Sequence, residues 1–515
     1  MGSGTIMSMN VKNKRSETGD TTHEMLTITG EATATLDVGA ETPIRVVANQ
    51  SIRPTLDAGT IRQAINCRLA PGVTDVVLNP DAHLGYGAPV GCVMVSPDTI
   101  YPGPVGVDIK CSMSLLQTDA PAEAIADRRV RRDIIKAICG RIETGAGGGS
   151  RSRNIGRKLD EELGFAVATE GASSGVLRKL GIPKKWAGRC EDAAHTAPDG
   201  TSDTLAVRLE HLGRDRDAKD RLFRKYRQLG SYGGGNHFGE AEVVRLADDV
   251  SMRSTAETFG LRDGHVAFLS HCGSRGFGHD LAMGQFRSMK SMFQKTGEDF
   301  PAGDPQLVHA HVHSDAGRMY LIDMAMGANF ATVNHLLINA LVLEAFQSVL
   351  PGIRGDLVYF ISHNIARREP IGGQMQWVHR KGATRALPAG HEQLVGTDFE
   401  STGHPILLPG NPRDGSSVMV GLPGAEYAAY SVNHGAGRSM SRSKAKKTLV
   451  QNDIDQSMEQ HDIMSNCRRY PRDEAPDAYK DFAEVLASVK SAGLAAEVAN
   501  LDAKFVIKDG GPADD

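Results

Sequence analysis

The sequence predicts an α+β protein, with one large domain in which mixed sheets are surrounded by helices and polar site residues lie at strand ends. Three observations support this prediction. Strand-like and helix-like segments alternate irregularly, without the regular spacing of βαβ units. Several short β-branched runs end in loops that carry histidine, glycine and asparagine. One long run, residues 314–350, is largely apolar and has helical periodicity.

The individual elements follow from periodicity and turn signals. Helices are expected over residues 122–142, 157–180, 217–229, 314–350 and 478–501. Strands are expected at residues 111–120, 240–246, 265–271, 356–363 and 504–508, and a strand, a polar loop and a strand over 74–96. Residues 183–204 and 409–424 are expected to be long loops. The first 25 residues are polar, and we expect them to be disordered. No internal repeat divides the rest of the chain, so we expect one domain over 26–515.

The charge and the cysteine content limit the classes of protein. The formal net charge of the 515 residues is −4, which excludes a global polycation, so a surface that binds nucleic acid would have to be a local patch. The seven cysteines are scattered and form no CxxC pair, which argues against a disulfide framework and a zinc ribbon. Neither a signal peptide nor a membrane-spanning stretch is evident, and we expect a cytoplasmic protein without a membrane partner.

Polar side chains with ligand chemistry follow the predicted strands. His271 and His363 end two apolar strands, His237 precedes a third, and a fourth loop carries Asp108 and Cys111. A carboxylate, a thiolate and three imidazoles suit a catalytic divalent metal such as Mn²⁺, or two ions bridged by sulfur, although this ligand set also permits zinc. Taken singly, each histidine is more often a buried structural residue than a ligand.

Three further segments have both a functional and a structural interpretation. The stretch HAHVHS places His309, His311 and His313 on one face if it is a strand, but a solvated loop is the alternative. Residues 145–153, GAGGGSRSR, lack the Walker pattern and are either a phosphate loop or a surface loop. The basic stretch 438–447 after His434 is either a solvated helix face or a surface that steers phosphate.

Several stretches together resemble the RtcB family of RNA-splicing ligases. They occur in the family's order and span about residues 75–510: NPDAHLGYGAPVG, GPVGVDIKCSM, LGSYGGGNHFGEAE, SHCGSRGFGH, ISHNIARRE, WVHRKGATRALPAG, NHGAGRSMSR and FVIKDG. The resemblance implies a ligase catalytic domain that uses GTP and two Mn²⁺ ions. Such an enzyme joins RNA ending in a 2′,3′-cyclic phosphate or 3′-phosphate to RNA with a 5′-hydroxyl, in tRNA splicing or RNA repair, and some members need an archease-type activator.

The resemblance also implies roles for particular residues. The metal ligands would be Asp108, Cys111, His237, His271 and His363. His434 would form the covalent GMP–histidine intermediate, with Asp81 in an auxiliary catalytic role. The contacts to the guanosine nucleotide would come from Asn236, His237, Phe238, Gly239, Glu240, His363, Asn364, Pro409, Gly410, Asn411, Pro412, Ser417, His434, Gly435, Ala436, Gly437 and Lys508.

This sequence departs from the family pattern at several positions. Lys110 and Ser112 replace the usual residues beside Cys111, and His335 stands where an arginine is common. The stretch that begins at Pro409 is altered and longer, which leaves the phosphate-contacting serine open between Ser416 and Ser417, and residues 181–214 are extra or altered. A divergent paralogue is therefore expected. Two other functions stay open: a metal-dependent phosphodiesterase that opens cyclic phosphates without GTP, and a non-catalytic protein that binds RNA ends.

Overall fold

The structure is a computed structural model that describes residues 25–149 and 159–510. Of the segment 1–25, for which we expected disorder, only Met25 falls within the described residues. Arg151 and Arg153 of the glycine-rich segment 145–153 also lie outside them.

The described residues form α-helices that mostly begin at a side-chain cap. Asp57, Asp127 and Asp160, for example, each accept a hydrogen bond from a backbone N–H of the first turn that follows. The helices are α1 (Ala58–Arg68), α2 (Arg128–Cys139), α3 (Glu161–Glu170), α4 (Ser174–Leu180), α5 (Asp203–Leu212), α6 (Arg216–Tyr226), α7 (Val250–Phe259), α8 (Arg275–Thr296), α9 (Asp315–Val349), α10 (Arg442–Thr448), α11 (Gln451–Gln460) and α12 (Phe482–Ser491).

The strands form two large sheets, which confirms the predicted α+β fold with mixed sheets. They are β1 (Thr27–Ile28), β2 (Thr33–Leu36), β3 (Ile44–Val47), β4 (Asp75–His83), β5 (Val90–Ser96), β6 (Thr99–Ile100), β7 (Ser112–Pro121), β8 (Phe238–Leu246), β9 (His265–Cys272), β10 (Ala310–His311), β11 (Gly355–Ser362), β12 (Asn364–Ile371), β13 (Gln374–Lys381), β14 (Ala383–Arg385), β15 (Pro405–Asn411), β16 (Gly415–Gly421), β17 (Ser431–Asn433), β18 (Met464–Ser465) and β19 (Ala495–Lys508).

Most strand pairs are antiparallel. The first sheet has the order β1-β2-β3-β4-β5-β13-β12, with a parallel β3–β4 pair. The second has the order β11-β7-β9-β8-β19-β16-β15, and β18 pairs with β19 in parallel. Two short ladders, β10-β6 and β14-β17, complete the described sheets. The chain passes directly from β11 of the second sheet into β12 of the first, so His363 lies where the two sheets meet.

Helix α9 is the central helix of the core. It confirms the predicted helical run over 314–350, but it also corrects the expectation that no apolar stretch could span a bilayer. By length and composition alone α9 could do so, yet 89% of its apolar window is buried inside the protein. A helix that is apolar on all sides and packed on all sides is the core helix of a large domain. Its polar residues therefore face protein loops, as described below for Asn334 and His335.

Three other expectations needed correction. The helix expected over 157–180 is interrupted at Gly171, which takes a left-handed φ of 59°, so that α3 and α4 are separate. The helix expected over 478–501 is only α12, because residues 495–508 form the long strand β19 and not the short strand expected at 504–508. β-branched and apolar residues at alternate positions of this segment fit a strand better than a helix.

The loop expected over 409–424 is also wrong as far as residue 421. Residues 405–421 form a β-hairpin, β15–β16, in which Pro409 pairs with Ser416. Asn411 makes the turn, because its side-chain oxygen accepts hydrogen bonds from the backbone N–H groups of Arg413 and Asp414 over 3.0 and 3.1 Å. Turn-forming residues misled the sequence-based expectation, since β15 is an edge strand of its sheet and an edge strand tolerates proline. The loop expected over 183–204 is largely confirmed, with one 3₁₀ helix at Lys184–Arg189.

Candidate metal and nucleotide site

The register of the second sheet brings the ends of four strands together. Ser112, the first residue of β7, pairs with Cys272 of β9 and with Ser362 of β11. Phe238, the first residue of β8, pairs with His271. The start of β7, the end of β9, the end of β11 and the start of β8 therefore lie at one edge, and the predicted ligands adjoin these positions in the chain.

The loop before β7 presents Asp108 and Cys111 at this edge. The Cys111 carbonyl accepts a hydrogen bond from the backbone N–H of His363 over 2.9 Å. One oxygen of Asp108 accepts hydrogen bonds from the backbone N–H and the hydroxyl of Ser274 over 3.1 and 3.2 Å. A Cβ atom at Gly273 would collide with both carboxylate oxygens of Asp108, so glycine is needed there.

Backbone carbonyls orient two of the three histidines. Nδ1–H of His237 donates to the Tyr232 carbonyl over 2.8 Å, and Nδ1–H of His271 donates to the Asn236 carbonyl over 3.1 Å. Each hydrogen bond fixes the tautomer and leaves the lone pair on Nε2. Nε2 of His363 lies 3.3 Å from Nε2 of His271.

The ligand atoms form two groups that share Cys111. Its Sγ lies 3.2 Å from Nε2 of His271 and 3.5 Å from Nε2 of His237, which is itself 3.0 Å from Asp108 Oδ2. One group is Cys111, His271 and His363, and the other is Asp108, Cys111 and His237; within each group the ligand atoms lie within 4.8 Å of one another. The arrangement fits two cations bridged by one sulfur.

The electrostatics of these side chains also fit a metal site. Burial raises the pKa of the Cys111 thiol well above its ordinary value, and burial lowers the pKa of His271 and of His363 well below theirs. Burial would also raise the pKa of Asp108, but His237, Cys111 and Arg275 together outweigh it, so the pKa of Asp108 lies below its usual range. Neutral imidazoles are the form that binds metal, and a divalent ion would stabilise the thiolate that burial disfavours.

Two residues that depart from the family pattern, Lys110 and His335, lie beneath the potential ligands. Nζ of Lys110 donates to the Asp192 carbonyl over 3.0 Å and to the Thr332 hydroxyl over 2.8 Å, and it lies 2.8 Å from Nε2 of His195. The lysine thus points into the protein, toward residues of the altered segment 181–214. Burial lowers the pKa of Lys110 to about 7.

Helix α9 also contacts the backbone beneath the potential ligands. Nε2–H of His335 donates to the Cys272 carbonyl over 2.9 Å, and its Nδ1 lies 2.9 Å from the Ser114 hydroxyl. Asn334 donates to the Gly273 carbonyl over 3.2 Å. His335 therefore joins β7 to β9 directly beneath the ligands.

His434 lies next to the proposed ligands. Its ring centroid is 4.8 Å from that of His363, and a Cβ atom at Gly382 would lie 3.0 Å from its Cε1. Nδ1–H of His434 donates to Oδ2 of Asp81 over 2.6 Å, and the backbone N–H of His434 donates to the same oxygen over 3.2 Å. Asp81 is fully buried, and a Cβ atom at Gly437 would collide with its backbone. The structure thus brings the predicted nucleophile, the auxiliary aspartate and the metal ligands together.

Seven of the seventeen predicted nucleotide contacts line a narrow cavity. The residues that line it are Phe238, Glu240, Pro409, Gly410, Asn411, Pro412, Ser416, Tyr470, Glu474, Tyr479, Val506 and Lys508. It adjoins the turn after His434, because the Pro409 carbonyl accepts a hydrogen bond from the backbone N–H of Ala436 over 3.1 Å and lies 2.8 Å from where a Cβ of Gly435 would be. Burial raises the pKa of Glu240 to about 8, although the charge of Lys508 opposes this.

The other predicted nucleotide contacts lie around the metal loop. Asn364 donates from its side chain to the Asp108 carbonyl over 3.4 Å and accepts from the backbone N–H of Gly382 over 2.9 Å. Asn236 is exposed next to His237. Gly239 is buried in β8, where a Cβ would collide with the Tyr232 hydroxyl.

Ser417 is not brought to the cavity. Adjacent residues of a strand face opposite sides of the sheet. The Ser417 hydroxyl is buried and donates to the Ala499 carbonyl over 3.4 Å, whereas Ser416 lines the cavity. Ser416 is therefore the better placed of the two serines that the sequence left open.

Sequence reasoning missed an acidic and aromatic segment that closes the cavity. Glu474 lies 2.9 Å from Nζ of Lys508 and accepts a hydrogen bond from the Tyr479 hydroxyl over 2.7 Å. Burial would raise the pKa of Glu474, but the charge of Lys508 outweighs it, so its pKa is below its ordinary value. The signal was present as the stretch DEAPDAY at residues 473–479, where three acids and a tyrosine surround a proline.

The histidine stretch and the basic stretch, which each had two interpretations, differ in their relation to the site. His309 stacks on Tyr101 with ring centroids 5.1 Å apart, and His311 lies 3.3 Å from Asp98. Neither histidine belongs to a group of potential ligands within the described residues. The basic stretch continues into helix α10, whose Arg442 lies 2.9 Å from Glu474 and thus contacts the lining of the cavity.

Comparison with known proteins decides the family. A family model described as "tRNA-splicing ligase RtcB" matches residues 63–509. The chain belongs to the RtcB family. It is 33% identical over 478 residues to a "tRNA-splicing ligase RtcB" of Archaeoglobus fulgidus, a match that covers 90% of this chain and 94% of the relative. It is 34% identical over 452 residues to an "RNA-splicing ligase RtcB" of Mycobacterium bovis, covering 85% and 98%.

The RtcB match includes the whole candidate site. Asp81, the two groups of potential ligands, His434 and Lys508 all lie within the matched residues. The segment 1–62 lies outside the match.

Proposed function

We propose that this RtcB-family protein is an RNA ligase that uses GTP and Mn²⁺ to join a 3′-phosphate or 2′,3′-cyclic phosphate RNA end to a 5′-hydroxyl end through a GMP–histidine intermediate. The observation that carries the proposal is the position of His434. Its ring lies 4.8 Å from that of the potential ligand His363, and its Nδ1 proton is held by Asp81. A histidine whose one nitrogen is held by a carboxylate has the lone pair of the other nitrogen available as a nucleophile.

In the proposed first step, Nε2 of His434 attacks the α-phosphorus of GTP. An N–P bond forms, the bond between that phosphorus and the bridging oxygen breaks, and pyrophosphate leaves. The ring keeps its Nδ1 proton in the hydrogen bond to Asp81 and becomes positively charged. The Asp81 carboxylate stabilises that charge.

The two groups of ligands would each hold one Mn²⁺ ion. Cys111, His271 and His363 would bind one ion, and Asp108, Cys111 and His237 would bind the other. Bound ions would neutralise phosphate charge and align the displacement. The carbonyls of Tyr232 and Asn236 hold the Nε2 atoms of two of these histidines in the orientation that this requires.

The cavity between Phe238 and Lys508 would bind the guanosine. The carboxylate of Glu240 would accept hydrogen bonds from the guanine edge, and Ser416, Lys508 and the turn at Gly435–Gly437 would approach the rest of the nucleotide. The cavity volume, about 30 Å³, is far below the roughly 300–1,000 Å³ of ordinary ligand pockets. Side chains that line it must therefore move apart when a nucleoside enters, and the Lys508–Glu474 ion pair is the contact that we expect to change.

In the proposed second step, GMP passes from His434 to the RNA 3′-phosphate. The N–P bond breaks as a phosphate oxygen takes the phosphorus, and the 5′-hydroxyl oxygen then attacks the activated 3′-phosphate, loses its proton and displaces GMP. A cyclic phosphate must first be opened by water. Exposed lysines of α10, Lys444 and Lys447, would attract the RNA backbone. We also propose a single catalytic domain over 26–515, a cytoplasmic location and an archease-type activator as a partner.

The decisive experiment is covalent labelling. The purified protein is incubated with Mn²⁺ and GTP labelled at the α-phosphate, and we expect acid-labile, alkali-stable label on the protein. GTP labelled at the γ-phosphate should leave none. His434→Ala should abolish labelling, whereas His461→Ala, which changes a histidine at the exposed end of α11, should retain it. Lack of label on a protein with bound Mn²⁺ would refute the proposal.

An RNA assay separates the alternative functions. A metal-dependent phosphodiesterase would open cyclic phosphates without GTP, and His434→Ala would still do so. A non-catalytic protein would bind RNA ends in a salt-dependent manner and leave them unchanged. The ligase instead requires GTP and yields a joined product only when His434 is intact.

A further inference from the structure

Asp81 lies in a stretch of β4 that lacks regular strand pairing. Leu78 pairs with Cys92 and His83 pairs with Val90, so residues 79–82 have only position 91 opposite them on β5. An irregularity of this kind leaves backbone groups without partners in the ladder. The strand that carries the partner of His434 therefore needs support from elsewhere.

Lys480 supplies that support. Its Nζ donates hydrogen bonds to the carbonyls of Pro80 and Ala82 over 3.0 and 2.7 Å, and these residues flank Asp81 on either side. Its backbone N–H donates to the Gly437 carbonyl over 2.9 Å. Gly437 in turn packs against the backbone of Asp81. One residue thus holds both the strand of the aspartate and the turn after the histidine.

The charge of Lys480 also interacts with the buried carboxylate of Asp81. Asp81 is 0% exposed and Lys480 is 3% exposed. Oδ1 of Asp81 is buried and has no hydrogen-bond partner among the described residues. A buried carboxylate stays ionised only if donors or a cation are close to it. Burial lowers the pKa of Lys480 to about 8, while the charge of Asp81 acts in the opposite direction, which indicates that the two groups interact.

Other titratable groups face this pair. His434 binds Asp81 directly, and Nδ1–H of His83 donates to the Asp81 carbonyl over 2.8 Å. The charge of Asp57, at the start of α1, also acts on Lys480. Burial lowers the pKa of His83 to about 4, so His83 is neutral near pH 7 and supplies no cation. Of these groups, Lys480 is the cation that is available to Asp81.

We propose that Lys480 is a positioning residue for the reaction of His434: it holds the strand on both sides of Asp81 and keeps that carboxylate charged and directed at Nδ1 of His434. The inference rests on the proposed function, because it assigns Lys480 a part in the attack on GTP. Lys480 acts through Asp81 and not by contact with the nucleotide. Loss of its side chain should slow the attack without weakening GTP binding, because Asp81 would no longer be held in position beside Nδ1 of His434.

The test compares Lys480→Met and Lys480→Gln with the wild type. Lys490→Met, which changes a partly exposed lysine of α12, is the matched control. The single-turnover rate of labelling is measured at saturating GTP and Mn²⁺ from mildly acidic to alkaline pH, with GTP affinity measured separately. We expect both variants to label about 100-fold more slowly at neutral pH, with unchanged GTP affinity. The control should match the wild type.

The test still gives a result if one of the two variants fails to fold. Lys480→Gln keeps an N–H donor for one of the two carbonyls and is the variant that decides if Lys480→Met does not fold. A folded Lys480→Gln protein with the wild-type rate and pH profile would overturn the inference. So would a slower rate accompanied by an equal loss of GTP affinity, because that result would indicate a role in the fold or at the nucleotide and not at Asp81.

A double-mutant cycle tests whether Lys480 acts on the labelling rate through Asp81. If Lys480 acts through Asp81, Lys480→Gln should slow labelling by less than about threefold in an Asp81→Asn background. Multiplicative effects of the two substitutions would contradict the inference. A wild-type protein that takes up no label would refute the proposed function itself, whereas a labelled wild type with an unaffected Lys480→Gln variant would refute this inference alone.

Discussion

Nδ1 of His434 and Oδ2 of Asp81 lie 2.6 Å apart, and this hydrogen bond determines which nitrogen of His434 carries the proton. A carboxylate can only accept, so the proton is on Nδ1 and the lone pair is on Nε2. An amide at position 81 can donate to Nδ1 and stabilise the opposite tautomer. We therefore expect Asp81→Asn to slow covalent labelling by roughly 10³- to 10⁴-fold, measured in a single turnover at saturating GTP.

The matched control for this prediction is Asp453→Asn, at an exposed position of α11. It should label at the wild-type rate. Asp81→Asn should keep its GTP affinity, and a loss confined to GTP affinity would show that Asp81 acts on the nucleotide and not on His434.

Cys111 is the one side chain that belongs to both groups of potential ligands. Cys111→Ala should therefore lower the affinity for both ions, by at least about 100-fold, whereas His271→Ala should affect chiefly one ion. Metal content after dialysis against defined Mn²⁺ gives the measurement. Cys139→Ala, at a partly buried cysteine of α2, should keep the wild-type content. Equal losses in Cys111→Ala and His271→Ala would argue against a bridging sulfur.

The pKa of Glu240, raised to about 8 by burial, makes GTP binding depend on pH. Below pH 8 the free carboxyl is mostly protonated, and it must lose its proton to accept hydrogen bonds from guanine. GTP affinity should therefore increase as the pH rises toward 8 and then level off, with release of a proton on binding at neutral pH. Calorimetry in buffers of different ionisation enthalpy measures that proton.

Two substitutions control the Glu240 prediction. Glu240→Gln should remove the proton release and reduce the preference for GTP over ATP by about 10- to 100-fold. Glu257→Gln, at an exposed position of α7, should change neither quantity. A GTP affinity that is constant from pH 6 to pH 8 would contradict the role of Glu240, because the burial-raised pKa of about 8 lies at the upper end of that interval.

Ser416 and Ser417 provide a direct comparison of neighbouring residues. Ser416 lines the cavity, whereas the Ser417 hydroxyl donates to the Ala499 carbonyl. Ser416→Ala should weaken GTP binding by roughly tenfold, the cost of about one hydrogen bond. Ser417→Ala should leave GTP binding unchanged and lower only the melting temperature. The opposite result would place the nucleotide on the other face of β16.

A buried network of ion pairs should determine the pH below which the protein loses stability. Arg385 lies 2.6 Å from Glu191, and Arg380 binds both oxygens of Glu369 over 2.9 and 2.7 Å. Burial would raise the pKa of both carboxyls, but the charges of the arginines outweigh it, so both pKa values lie below the ordinary range. A depressed folded-state pKa stabilises the protein fully above the unfolded value of about 4.3, and this stabilisation disappears as the pH falls through the folded value.

The melting temperature should therefore fall steeply below about pH 4.3. Glu191→Ala should cost about 3–5 kcal/mol at neutral pH, because it leaves buried arginine charges unpaired, and its stability should depend less on acid. Glu257→Ala is the exposed control. A wild-type melting temperature that does not change between neutral and acidic pH would contradict the prediction.

Local patterns predicted the strand-end side chains well, because apolar runs that end in histidine loops are a short-range feature of the sequence. His237, His271 and His363 could be identified as candidates in this way, but their convergence on Cys111 depends on the register of β7, β8, β9 and β11, which no local pattern contains. The hairpin at residues 405–421 was missed because proline and asparagine indicate turns unless the edge position of the strand is known.

Residues that act at long range were also missed. Lys480 is near Asp81 only because the chain returns 400 residues later, and its neighbourhood has no distinctive spacing. The same holds for Glu474, which reaches Lys508 across the cavity. Charge alone does not predict such contacts, because a lysine or glutamate in a single sequence is most often a solvated residue.

The altered segment 181–214 has a consequence for the solubility of the chain. β11 is an edge strand of its sheet, and this segment covers its outer side: the backbone N–H of Glu191 donates to the Phe360 carbonyl over 2.9 Å, and Cys190 forms a bridge with Phe360. An uncovered edge is a template on which a second chain can add a strand. Deleting the residues around Cys190 and Glu191 would expose that edge, and self-association of the purified protein would follow.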